Sequence, residues 1–181
     1  RPAPVDGTVP ARTADEERHA LARLRPRGRP GLRLAYSNAG YVALGHAIEG
    51  ATGRLWQAVV RDRVLVPAGA PGVRLLAPGE RPAMAPLAPS GPLSLAPSAP
   101  GAAGAMVAEA EEAARVLEAI LSGRAIGADA ARAMTDPLRP GPEPPLLWGR
   151  GVVVYDLPAN AGGPWIGHSG GVPGGRAIAA L

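Results

Sequence analysis

Apolar residues recur at helical spacing through most of the chain and at strand-like spacing near its end. Between Asp15 and Leu24, the apolar positions Ala20, Leu21 and Leu24 predict a short helix that stops before Pro26. After Asn38, a strong N-cap type, the run carries Tyr41, Leu44, Ala47, Ile48 and Ala51 on one face and meets a stop signal at Gly53. This predicts a helix over about 39–52. A second helix over 55–65 turns Trp56, Val59, Val60 and Val64 inward and Arg54, Arg61, Asp62 and Arg63 outward, and Pro67 closes it. From Ala105 to Ser122 a long helix is expected, with a stripe of Met106, Ala110, Ala113, Leu117, Ile120 and Leu121 opposite Glu109, Glu112 and Arg115. A short helix over Ala128–Met134 ends at Asp136-Pro137.

The period then changes. Leu147–Leu157, rich in Val with Trp148 and Tyr155, reads as a strand, and Pro158–Gly163 as a turn. Trp165–Ser169 and Arg176–Leu181 read as two more extended pieces, separated by the Gly170–Gly175 segment. Between the helices, residues 67–100 hold nine Pro and are expected to be neither helix nor central strand. An ordered wrapping loop with edge-strand pieces and a linker both fit them. Helices first and strands last, without alternation, give an α+β class.

Composition narrows the chemistry. The 181 residues fit one domain or part of a larger one. Absence of Cys excludes disulfides, thiolate metal sites and a cysteine nucleophile. All 19 basic residues are Arg, so no mechanism can draw a Lys from this stretch. No apolar run reaches membrane-helix length. The net charge of +4 lies in residues 1–35, where Arg23, Arg25, Arg27, Arg29 and Arg33 alternate with Pro and Gly. That interleaving predicts a solvated basic loop; a nucleic-acid arm is the other reading, but no aromatic lies among these residues to stack a base.

Two places could carry chemistry. Tyr36-Ser37-Asn38 stands at a helix entrance, where free N–H groups and the helix dipole favour an anionic neighbour. Its bland reading is Asn38 as a cap and Tyr36 as a staple. Gly167-His168-Ser169-Gly170-Gly171 fits Gly-x-Ser-x-Gly, the nucleophile elbow of α/β-hydrolases, with Ser169 as nucleophile. That reading needs a helix directly after Ser169 and a later acid and His, whereas Pro173, Gly174 and Gly175 follow and the last 12 residues hold no acid and no His. A Gly-rich hairpin carrying a buried His is the bland alternative.

Taken together, the two segments say more. The run from Pro30 through Tyr36-Ser37-Asn38-Ala39-Gly40-Tyr41 to Thr52-Gly53, with Gly167-His168-Ser169-Gly170-Gly171-Val172-Pro173-Gly174 later, resembles the penicillin-recognising serine hydrolases: class C β-lactamases, D-alanyl-D-alanine carboxypeptidases and related esterases. Ala102–Val107 and Trp148–Val152 are similar to that family's connecting segments. The resemblance implies a β-lactamase/transpeptidase-like fold present in part, a helical part over 1–145 with its Pro-rich loop at 67–100, and antiparallel strands over 146–181. It also implies acyl-enzyme chemistry on a β-lactam, a D-Ala-D-Ala peptide or an ester. By the same resemblance, Tyr36 is the general base and proton shuttle, and Asn38 holds the substrate amide. His168 replaces the family's usual Lys, with a weak tilt toward carboxypeptidase or esterase activity. Ser169 binds the substrate carboxylate, Gly170 leaves room for the acyl chain, and the Gly171 N–H forms half of an oxyanion hole.

The family's Ser-x-x-Lys nucleophile does not occur in residues 1–181. The expectation is an internal fragment lacking both ends of the domain, inactive alone, with unpaired sheet edges and a tendency to aggregate. A non-catalytic binding module of the same fold is the alternative. The implied partner is a small molecule or peptide, with no metal, no cofactor, no nucleic acid and no membrane span; the resemblance implies a periplasmic or secreted location.

Overall fold

The computed structural model describes residues 13–25, 28–29, 34–77, 80, 101–104, 106–140, 146–157, 162–172 and 175–181. Helix α1 (Ala14–Ala22) opens on a capping box in which the Glu16 N–H donates to Thr13 Oγ1 and the Thr13 N–H donates to Glu16 Oε2. It buries no residue. Helix α2 (Asn38–Thr52) begins one residue earlier than the pattern predicts. Its cap is Ser37, not Asn38: Ser37 is extended and its Oγ accepts the Gly40 N–H at 3.2 Å, while Asn38 is already helical. Gly53 ends α2 at φ 64°, the left-handed conformation Gly adopts without strain.

The inward face of α2 also differs from the apolar stripe. Leu44 is 58% exposed and Ala47 and Ala51 face solvent, whereas Gly45 is buried and His46 and Glu49 are half-buried. The reason is close approach and polar pairing. A Cβ on Gly45 would lie 2.9 Å from the Ala102 methyl, on the 3-10 turn Gly101–Ala103. His46 reaches Glu17 of α1 through Nε2 (3.2 Å) and Glu49 of α2 through Nδ1 (3.3 Å), and Glu49 accepts the Trp56 N–H at 3.4 Å.

Helix α3 (Trp56–Val60) runs into a π-helical turn (Arg61–Leu65) and then α4 (Val66–Ala68). Pro67 therefore does not stop the helix; the turn before it widens, Pro67 falls in the first turn of α4 where its missing N–H costs little, and Gly69 (φ 69°) ends the run. Leu65, Ala68, Ala70, Val73, Val116 and Ala119 form the core there. Residues 70–76 are thus an ordered part of the Pro-rich stretch, with β1 (Arg74–Leu75) pairing antiparallel to β2 (Met106–Val107). The rest of that stretch, 78–79 and 81–100, lies outside the described residues.

The β2 pairing removes Met106 from the long helix, which as α5 spans Ala110–Leu121. Helix α5 buries Val116 and Ala119 because it packs on α4 and on the sheet, and two contacts widen the single stripe read from the sequence. Glu112, expected in solvent, accepts the Gly72 N–H at 2.8 Å. Helix α6 (Ala128–Thr135) follows as expected.

The remaining chain makes one five-stranded antiparallel sheet in the order β3 (Arg139–Pro140), β4 (Leu146–Trp148), β5 (Val153–Tyr155), β6 (Trp165–Val172) and β7 (Gly175–Ala180). The stretch read as one strand over 147–157 is a hairpin instead. Gly149 to Val152 makes the turn, with Gly151 at φ 82°, and the Gly149 N–H donates to the Val152 carbonyl. Strand β6 extends through Gly170 and Gly171, which pair with Ala177 and Arg176, so the expected break there is strand. The tip residues Pro173 and Gly174, and 158–161 of the expected Pro158–Gly163 turn, lie outside the described residues. Arg23, Arg25 and Arg29 of the basic loop are exposed; Arg27 and Arg33 lie outside the described residues. Helices followed by an antiparallel sheet make the fold α+β.

Candidate active site

Tyr36 sits in the segment 34–37 that leads into α2 outside any helix or strand, and His168 stands on β6. The fold brings these rings to 5.9 Å between centroids, inclined by 31°. Two further rings complete the cluster. Trp148, the last residue of β4, lies 5.4 Å from Tyr36 and 5.9 Å from His168, and meets His168 edge to face at 79°. Tyr41, one turn into α2, lies 6.3 Å from Tyr36.

The polar atoms of the cluster are constrained unequally. His168 Nδ1 donates to the Ser169 carbonyl at 2.5 Å; a carbonyl only accepts, so Nδ1 carries a proton, and of the two neutral tautomers this bond selects the one with Nε2 as acceptor. The Trp148 indole N–H is buried and has no hydrogen-bond partner among the described residues. Burial, and secondarily the neighbouring Tyr36 phenol, push the Tyr41 phenol above its ordinary range. Tyr36 is 51% exposed, and its ring opens to solvent.

Beside the rings lies a groove of about 440 Å³ whose wall includes Tyr36 and His168 together with the apolar Leu44, Ile48, Trp56 and Met106. No Asp, Glu or Arg lines its described wall. It suits an apolar group and offers no counter-ion to a charged one. Among the described residues, no three His, Asp or Glu side chains gather to hold a metal ion, and no helix is long and apolar enough to cross a membrane.

The six residues singled out in the sequence thus separate. Tyr36 and His168 meet. Asn38 is exposed on the first turn of α2, and Ser169, Gly170 and Gly171 are exposed on β6 beyond the groove wall. Strand alternation sends Ser169 to the sheet face opposite His168. Ser169 also pairs with Ile178 in mid-strand, so it is not on a strand-to-helix elbow, and the α/β-hydrolase reading fails. Sequence reasoning missed Trp148 and Tyr41 as neighbours of Tyr36: one read as a strand residue and the other as part of a helix face.

A family model described as Beta-lactamase matches residues 2–181. Among solved structures, a D-stereospecific amidohydrolase from a Streptomyces species shares 28% identity at a TM-score of 0.77, over 94% of this chain and 53% of that one. The D-amino acid amidase from Ochrobactrum anthropi SV3, complexed with L-phenylalanine amide, shares 24% identity at a TM-score of 0.74, over 96% of this chain and 52% of that one. An octameric penicillin-binding protein homologue from Pyrococcus abyssi shares 23% at 0.68, over 90% of this chain and 39% of that one. No curated protein matches. The chain spans about half the length of the first two structures.

Proposed function

The chain belongs to the beta-lactamase family, whose model covers residues 2–181, and from that premise we propose that it supplies the proton-handling half of an amide-hydrolysing serine acyltransfer site. The observation that carries this is the approach of Tyr36 to His168, 5.9 Å between rings from elements far apart in sequence. The nucleophilic serine lies on polypeptide outside these 181 residues, since no Ser-x-x-Lys occurs within them.

The chemistry follows from the groups present. As the attacking serine oxygen bonds to the substrate carbonyl carbon, Tyr36 takes the hydroxyl proton and passes its own phenol proton to the His168 imidazole; as the C–N bond breaks, Tyr36 gives a proton to the leaving amine and recovers one from the imidazole. Water then reverses the same transfers to release the acid. His168, with Nδ1–H engaged by the Ser169 carbonyl and its ring 5.9 Å from that of Tyr36, offers Nε2 as the acceptor of the phenol proton. Asn38 orients the substrate amide.

Strand β6 runs past β5, which pairs only with residues up to Gly167, so one edge of 168–172 is left for a peptide-like substrate. Gly170 leaves space for the acyl chain there, and the Gly171 N–H donates to the developing oxyanion. The neutral groove favours substrates with an apolar side chain, and the 28% identity to a D-stereospecific amidohydrolase supports amides of D-configured residues over esters.

The test reads the coding sequence around this chain for Ser-x-x-Lys and assays the longer protein against D-phenylalanine amide, an ester and a fluorescent penicillin. Amide turnover that Tyr36→Phe abolishes is expected. Turnover unaffected by Tyr36→Phe would overturn the reading.

A further inference from the structure

We propose that Trp148 is the positioning residue that holds Tyr36 and His168 at their mutual distance. The proposal builds on the proton-handling reading only in its purpose; the geometry stands by itself. The three rings form a nearly equilateral triangle, with centroid separations of 5.4, 5.9 and 5.9 Å, so Trp148 touches both members of the pair. Removing the indole leaves each ring with one lateral neighbour fewer and an open space beside it.

The frame behind Trp148 is independent of the segment that carries Tyr36, and it is tied to the strand that carries His168 through Val153, which pairs with both Trp148 and Gly167. Trp148 pairs with Arg139 on one side and Val153 on the other. The turn that follows is fastened to the end of α6: the Arg150 N–H donates to the Met134 carbonyl at 2.8 Å, and Arg150 Nη1 donates to the Ala133 carbonyl at 2.6 Å and the Asp136 carbonyl at 3.0 Å. Gly149 lies against the Met134 carbonyl so closely that a side chain there would collide with it. Helix α6 therefore fixes the base of the indole. Tyr36, by contrast, sits on an entry segment outside any helix or strand and is half exposed; ring packing is what orients it.

The indole N–H points to the same role. Buried donors are nearly always paired, and this one has no partner among the described residues. Its placement there is set by packing against the two rings beside it and not by a hydrogen bond of its own. An edge-to-face approach at 79° to His168 directs one ring edge at the other ring's face, which fixes tilt as well as distance.

The experiment is proton NMR on this 181-residue chain with labelled aromatic side chains. One readout is cross-relaxation between the Tyr36 and His168 rings; the other, a control for the hairpin, is cross-relaxation between Leu147 and Val154 on paired strands. The unsubstituted chain should show both signals. Trp148→Ala should abolish the ring signal and keep the hairpin signal, and Trp148→Phe should restore the ring signal. A ring signal that survives Trp148→Ala overturns the proposal, as does its absence from the unsubstituted chain. If Trp148→Ala also abolishes the hairpin signal, Trp148→Phe decides: a ring signal that persists supports the proposal, and an intact hairpin without it overturns the proposal. None of these readouts requires turnover, so a failure of the amide-hydrolysis reading would appear in the assays of the longer protein and leave this result standing.

Discussion

Gly167 on β6 faces the main chain of Ala179 on β7 so closely that a methyl group built on Gly167 would run into the Ala179 carbonyl oxygen. Its neighbour His168 pairs with Ala179 in the same ladder, so this close approach of β6 and β7 lies one residue from the imidazole of the candidate site. A glycine is needed there to let the strands meet, and the meeting of the strands sets where the imidazole stands.

Gly167→Ala should separate β6 from β7, because backbone, unlike a side-chain tip, cannot swing aside. A loss of about 3 kcal/mol or more is expected in urea unfolding, together with weaker protection of the β7 amides. Unchanged stability would mean that the strands are not in this register.

Gly45→Ala meets a milder obstacle, the Ala102 methyl at 2.9 Å and the Trp56 ring at 3.4 Å. Crowding costs about 1–3 kcal/mol and the better helix former returns about 1, so a net loss of up to about 2 kcal/mol is expected. Adding Ala102→Gly should recover part of it; additive losses in a double-mutant cycle would show that the two positions do not touch.

Stability should fall at high pH on account of Tyr41. Its phenol is held above the ordinary value of 10.0 by burial and by Tyr36, so the folded chain keeps that proton more tightly than the unfolded chain does. The contribution is whole below pH 10.0 and is lost as pH rises from there through the folded pKa. Urea midpoints measured between about pH 8 and pH 11 should fall less steeply for Tyr41→Phe than for the unsubstituted chain.

Glu17→Ala should loosen α1 selectively. Helix α1 buries nothing, and the Glu17 bond to His46 Nε2 at 3.2 Å ties it to α2. A local loss of about 1 kcal/mol is expected, seen as faster hydrogen exchange in α1 with α5 unchanged. Equal acceleration in both helices would contradict a local tie.

In a longer chain that carries the serine, Tyr36→Phe should lower kcat by about 10²–10⁴-fold, the usual contribution of a positioned acid or base. The 181 residues alone should take no covalent label from a fluorescent penicillin on a denaturing gel, and a labelled band would place an acylatable group among them.

The helices and the extended character after Leu146 were legible because helical and strand periods are local properties of the chain, whereas Met106–Val107, which continues the helical period, is a strand. The run 38–52 shows how far that legibility reaches. Its helix and its Gly53 stop follow from spacing and backbone preference, yet its buried face does not follow from hydrophobicity, since Gly45, His46 and Glu49 turn inward where a close turn and a partner helix await them. Likewise, the Val-rich stretch after Leu146 reads as extended, but only the sheet reveals that Gly149–Val152 folds it into a hairpin against α6.

Tyr36 and His168 were recognisable from the short motifs around them, because a helix entrance and a Gly-rich strand are written in neighbouring residues. Their meeting, the Trp148 indole against both of them and the neutral groove beside them were decided by tertiary structure. Distances between distant segments depend on how sheet and helices pack, and that packing is a sum over many contacts which no local run of sequence contains.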